Sequence, residues 1–326
     1  MLLFSCMKSL QEKSQCCAAE IIRYGGKRRQ CVACRKTWRV HPAKRGRKAS
    51  RGKKHYLEKV FNQGFTVKQL AAHSSLSRES IYKKFRQELN VFTKERRIIR
   101  IRGSELILVI DAQWQIFNDE YWTLYCLAVK AVGANKVTVF DPILMPGKEC
   151  ATIWNTVIAA MPVSVKKRII AVVSDGLRGF DAVANNYGWV IQRCHFHLLS
   201  SLQKMRGKRA STPGRLIKEE IYQITELILA ERSQRKLNNH CRRIANLAHA
   251  EGCPIRMRMR VREMLRHLHE FRNYLNYPEF RLPTTTNVME SINSLIRRRA
   301  RTVNSPRAWH KWATATVRFK SKFTCQ

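Results

Sequence analysis

Residues 168–198 read RIIAVVSDGLRGFDAVANNYGWVIQRCHFHL, and the fold turns on them. Ile169 to Val173 is a short apolar, β-branched run of the kind that forms a buried strand. It ends in Ser174-Asp175-Gly176, where the chain must turn. In α/β sheets chemistry gathers at the carboxyl ends of strands, so Asp175 stands where a working carboxylate belongs. An Asp there is about as often the cap of the next helix, so the rest of the chain has to decide. The pattern predicts a helix over 180–187 and a second strand over 188–193, which runs into Cys194-His195-Phe196-His197.

Upstream, ELILVID (105–111) is another apolar strand ending in a carboxylate, Asp111. Residues 121–130 and 136–144 read as two more strands. Residues 147–161 read as an amphipathic helix with Ile153, Trp154, Val157 and Ile158 on one side. The order is three strands, a helix, a strand, a helix and a strand. Asp111 closes the first strand and Asp175 the fourth. This order predicts an α/β, ribonuclease-H-like sheet in which the first and fourth strands pair. Their ends then meet, and Asp111 and Asp175 can hold divalent cations between them. A third acid should come from a later helix.

Downstream, residues 198–283 are helical, Arg-rich and free of Trp, and they interrupt the sheet domain. Within them IRMRMRVREMLR alternates over 256–260 like a strand, but its length and surroundings favour a helix, which either packs or grips DNA ends. At 284 the chain becomes TTTNVMESINSLIRRRARTVNSPRAWHKW. Thr286 or Asn287 can cap a helix through about Arg299. Asn287, Glu290 and Asn293 recur at helical spacing and share a face. A Glu early in a helix usually just complements the dipole, but two flanking Asn and a basic run make Glu290 a candidate third acid.

The remaining segments carry DNA-binding features. Cys31 and Cys34 form a C-x-x-C knuckle with Cys17 upstream, and a short hairpin around Gly25-Gly26 fits between them; this is the layout of a zinc ribbon. The first knuckle is incomplete, with Ser14 three positions before Cys17. The fourth ligand stays open between Cys16, Cys6 and His41, or the segment keeps the shape without metal. Residues 44–54, KRGRKASRGKK, are a basic linker suited to phosphate. Residues 55–92 read as a helix-turn-helix domain: Gly64 ends one helix, Thr66 caps a second and Ser77 a third. Arg78, Ser80, Lys83 and Lys84 on the third would face the major groove.

The composition agrees. With 62 Lys and Arg against 23 Asp and Glu, the 326-residue chain carries a net charge of +39. An enzyme of small molecules has little use for such a field, whereas a nucleic-acid protein does. No apolar run of about 18 residues suggests a membrane span, and the first residues are too short and soon too charged for a signal peptide. The 11 Cys then read as reduced thiols or metal ligands of a cytoplasmic protein.

Together, Asp111, the Ser-Asp-Gly at Asp175, C-x-x-H at Cys194 and His197, and N-x-x-E-x-x-N at Glu290 resemble the Mutator-like DDE transposases. The likeness is greatest to bacterial insertion-sequence members with an amino-terminal zinc ribbon, and it runs from Cys17 to about Trp312. It implies catalytic acids at Asp111, Asp175 and Glu290 that hold two Mg²⁺ (or Mn²⁺) ions for cleavage and strand transfer. It also implies a domain over 103–326 with its insertion at 198–283, double-stranded DNA partners (terminal inverted repeats and target) and a homo-oligomer on DNA at the bacterial nucleoid. Zinc on Cys17, Cys31 and Cys34 is the part that Ser14 puts in question. Cys194 and His197 are read as structural or DNA-positioning rather than as metal ligands, as are Asn287 and Asn293. Phe271, Tyr274 or Tyr277 would stand in for the aromatic that relatives place near the element's end. Two other readings stay open: a non-catalytic DNA-binding regulator, or a ribonuclease-H-type nuclease. The first would show a lost acid, and the second fits poorly with a major-groove helix.

Overall fold

A computed structural model describes residues 14, 16–24, 26, 28–39, 55–207, 214–320 and 323–324. The basic linker at 44–54 and the candidate ligands Cys6 and His41 lie outside the described residues. The chain divides into two units, residues 1–55 and 56–326.

In the first unit, β1 (Ile21–Arg23), β2 (Arg28–Cys31) and β3 (Thr37–Arg39) form an antiparallel sheet in that order. Ile21 pairs with Cys31 and Arg28 with Arg39. The expected hairpin is present; β3, too short and polar to show a pattern, adds to it.

The second unit opens with α1 (His55–Phe61), α2 (Val67–Ala72) and α3 (Arg78–Lys94). Thr66 closes a capping box with Gln69, and the Ser77 side chain accepts from Ser80 N, as the spacing predicts. Leu57, Val60, Phe61, Leu70, Ile81 and Phe85 form the core of this bundle. That core is shared: Trp312 lies against Phe61 and Phe85, and Phe319 against Phe61 and Phe92. The three helices therefore pack into the larger unit rather than standing apart from 103–326.

The sheet begins with β4 (Leu106–Phe117) and β5 (Glu120–Ala131), joined by Asn118-Asp119 with both φ positive, the geometry of a tight two-residue hairpin. β6 (Lys136–Val139) and β7 (Ile143–Pro146) pair with opposite ends of β5. The single strand expected over 136–144 is thus two, because Pro142 lacks the N–H that a continuous ladder needs. Then come α4 (Ala151–Ala159), α5 (Val163–Lys166), β8 (Ile169–Ser174), α6 (Phe180–Asn186) and β9 (Val190–Arg193). β4 is antiparallel to β5 but parallel to β8, and β8 is parallel to β9. Odd positions of β4 pack on the last two long helices, and even positions on α4 and α6. Both faces are covered, which is why these strands read as unbroken apolar runs.

The helical segment is α7 (His195–Arg206), α8 (Arg215–Ala230), α9 (Gln234–His249), α10 (Ile255–Arg266) and α11 (Leu268–Asn276), with a core of its own. α10 is helical as expected: Met257, Val261 and Met264 are buried at helical spacing. α12 (Asn287–Arg299), α13 (Pro306–Phe319) and β10 (Phe323–Thr324), which pairs with β6, complete the chain. Among the described residues no helix is long and apolar enough to cross a membrane.

Candidate active site

Asp111 lies in the middle of β4, not at its end as the sequence suggests. β8 pairs only with Leu106–Val109, so from there β4 continues on β5 alone, and Asp111 stands just past the point where the parallel neighbour stops. Asp175 follows β8 directly at its carboxyl end. α7 begins at His195 rather than Leu198, because extended Cys194 acts as its N-cap, and this puts His197 in the first turn. Glu290 is in the first turn of α12.

Cys194 and its neighbour bring these helices together. The Cys194 thiol is fully buried and accepts from Thr286 N at 3.2 Å and Thr286 Oγ1 at 3.3 Å, while His195 N donates to Thr284 O at 2.8 Å. Thr286 therefore spends its hydroxyl on Cys194 instead of capping α12. The starts of α7 and α12 are pinned side by side, and His197 Nε2 comes within 2.8 Å of Glu290 Oε1, an ion-pair approach without the alignment of a hydrogen bond. Asn293 Nδ2 donates to Asp111 Oδ2 at 2.7 Å. Asp111, His197 and Glu290 each offer a ligand atom, and these atoms all lie within 4.8 Å of one another.

The charges explain the titration of the cluster. Burial, then the charge of Glu290, pushes Asp111 up to about 7, with Asp175 adding to the effect. Burial works against the charged form of His197, but Glu290, Asp111 and Asp175 outweigh it and raise its pKa. Glu290, held by His197, is lowered. The charged form of His197 is thus favoured by the two acids it faces.

Asp175 is not in the trio whose ligand atoms lie within 4.8 Å, although its charge acts on Asp111 and His197. The two Asn flanking Glu290 do different things. A spacing of three residues falls about 60° short of a full helical turn, so Asn293 is buried against the sheet and Asn287 is exposed. Phe271 is buried, and the Tyr274 hydroxyl donates to Leu229 O; Tyr277, stacked on Phe280, keeps a partly open ring. On α3, Arg78, Lys83 and Lys84 are exposed, but Ser80 is half-buried and its hydroxyl accepts from Ser77 Oγ, so it is occupied by the cap.

Sequence reasoning passed over Glu149. Its carboxyl accepts from Trp154 Nε1 at 2.7 Å. Burial, then the charge of Asp175, raises it to about 7. The spacing of Glu149 to an amphipathic Trp five residues on was the available signal.

In the first unit two turns repeat one geometry. Ala18 N donates to Ser14 O and Arg35 N to Cys31 O, both at 2.9 Å, and Ala18 and Arg35 both have positive φ. Ser14 thus takes the place that Cys31 has in the other turn, and Cys17 matches Cys34. Cys16, one position along, completes the set: the four thiols of Cys16, Cys17, Cys31 and Cys34 lie within 4.8 Å of one another. The Ser14 hydroxyl donates to Cys31 Sγ at 3.2 Å. Hydrogen bonds from the Cys34 backbone and from Ser14 lower Cys31 to about 6.

A comparison with curated proteins finds no match. The family description "Transposase, Mutator family" matches residues 119–306, which takes in Asp175, His197, Glu290 and Asn293. The match covers more than half of a chain whose sheet, with a helical segment between its last central strand and α12, carries acids on β4, after β8 and on α12. The chain belongs to the Mutator family of transposases.

Proposed function

We propose that the protein is a DDE transposase that cuts and joins DNA at the ends of its element, with a ribonuclease-H-like sheet carrying Asp111, Asp175 and Glu290 as the catalytic acids. The observation that carries this reading is the meeting of Asp111 and Glu290, from β4 and α12, beside the strand end that bears Asp175. The carboxylates suit Mg²⁺ or Mn²⁺: Asp111 and Glu290 on one side and Asp175 on the next strand, with the His197 imidazole beside them as a partner of Glu290. When bound, such ions supply polarisation of the scissile phosphate and activation of the attacking hydroxyl. The chain's own residues orient the acids. Asn293 fixes the Asp111 carboxylate, His197 restrains Glu290, and Cys194 with Thr286 holds α12 in place. Arg78, Lys83 and Lys84 are exposed on α3, the helix that would enter the major groove in a helix-turn-helix mode, with duplex DNA as partner and several copies on one DNA.

The test is strand cleavage of duplexes carrying the element's ends, with Mg²⁺ or Mn²⁺. Glu290→Gln should bind these duplexes normally and cut at least about 10²–10³-fold more slowly. Cleavage at the native rate would remove Glu290 from the acids and end this reading of the cluster.

The thiol cluster is proposed as a zinc site with Cys16 as the fourth ligand. A tetrahedron with arms of about 2.3 Å has edges of about 3.8 Å, and Cys16 Sγ lies 3.4 Å from Cys34 Sγ. Metal analysis of protein purified without chelator should find about one zinc per chain, lost on Cys34→Ser and weakened on Cys16→Ser. Full zinc retention in Cys16→Ser would exclude it as a ligand.

A further inference from the structure

α10 and the turn after Asp175 face each other across a cleft of about 930 Å³. Its walls carry Arg178 from the turn, Arg193 from the end of β9, and Arg256, Arg260, Arg262 and Arg266 from α10. The two acids in the cleft, Glu263 and Asp181, do not balance them. Glu263 is already taken, at 2.7 Å from Arg260 and 3.5 Å from Arg193. Arg193 is buried and also paired with Glu270, so it belongs to the frame of the cleft. Arg178, Arg256, Arg262 and Arg266 are exposed and have no ion-pair partner among the described residues. Four free cations therefore converge with only Asp181 uncommitted among them.

The cleft reaches Gly176, the residue next to Asp175. Gly176 has φ +89°, and a Cβ there would come within 2.7 Å of Arg193 Nη1. The turn that carries Asp175 thus lies directly against the frame of the cleft, and only glycine allows that approach. The length of the cationic wall decides what it takes. The twelve residues of α10 rise about 18 Å, the axial rise of about five nucleotides of one strand. A mononucleotide would leave most of that wall unused. Met259, 65% exposed among these arginines, offers an apolar contact to the sugars between phosphates.

We infer that this cleft is the track for the DNA strand on one side of the scissile phosphate, with Arg178, Arg256, Arg262 and Arg266 holding its backbone. The word scissile rests on the reading of the acids given above; the binding itself does not. Full-length protein is titrated with a short random-sequence duplex over a range of NaCl concentrations, as native protein and as Arg256→Ala/Arg262→Ala. Each lost phosphate contact lowers the slope of log K against log salt by about 0.7–0.9, so the double variant should lose about 1.4–1.8. Arg256→Lys/Arg262→Lys should restore most of the slope, and both variants should melt like the native protein, since these side chains are exposed. An unchanged slope in the alanine variant overturns the proposal, as does a lost slope that lysine does not restore. Glu290→Gln in the same titration should keep the native slope. Normal cutting by Glu290→Gln, together with a lost slope in Arg256→Ala/Arg262→Ala, would keep the track and discard the acid assignment.

Discussion

Asp111→Asn should abolish strand cleavage and, in the absence of divalent metal, make the protein harder to unfold above neutral pH. The carboxyl is 7% exposed and its pKa stands at about 7, above the ordinary 3.8. An acid raised in the folded state binds protons there more tightly than in the unfolded chain. Stability therefore falls as pH rises from about 4 to about 7, and the whole cost is present above that range. At about 1.4 kcal/mol per unit, removing the charge should return on the order of 2–4 kcal/mol at pH 8 and much less at pH 5. The substituted amide can still accept from Asn293, so the contact that orients the side chain survives. Urea unfolding in EDTA at the two pH values measures the difference, and cleavage with Mg²⁺ measures the loss. Equal effects at both pH values would mean that Asp111 is not held among buried like charges.

Trp154→Ala should be the most destabilising single change on the α4 side of the sheet. The indole is 1% exposed and meets Tyr125 edge-on at 4.8 Å and Phe180 at 6.2 Å. Truncating a buried Trp costs about 3–5 kcal/mol, a large share of the roughly 5–15 kcal/mol that keeps a domain folded. It also takes away the N–H that Glu149 accepts. Trp154→Phe separates the two effects, since it keeps most of the ring and loses only the donor. Glu149 is half-buried, so leaving it without its donor should cost less than the roughly 1–3 kcal/mol of a fully buried group. Urea midpoints should then fall in the order native, Trp154→Phe, Trp154→Ala. A Trp154→Ala midpoint close to native would show that α4 contributes little to the core.

Local signals carried much of this architecture. The capping residues Thr66 and Ser77, the apolar run ending at Ser174, and the helical spacing of Met257, Val261 and Met264 all report short-range physics, and the elements form there. Pairings between distant strands are another matter. Nothing within ELILVID says that β4 runs six residues past Asp111, because that extension depends on the cross-strand ladder with β5. The nearness of His197 to Glu290 likewise depends on the Cys194–Thr286 contact across 92 positions. Ser14 looks like a missing ligand in one dimension. In three, its turn presents Cys16 instead.

The contacts of α12 and α13 set the order in which the larger unit can be completed. Asn293 reaches Asp111 across 182 positions, and Trp312 and Phe319 reach back to the aromatic core of α1 and α3. Chains emerge from the ribosome amino end first, and contacts between distant positions form late. Until residues 287–319 dock, the acid cluster lacks Glu290 and the three-helix bundle lacks one wall of its core. One latch, the last two long helices, therefore matures both at once. A chain interrupted before it would present basic surface without a closed cluster of acids, and a finished chain acquires the two together.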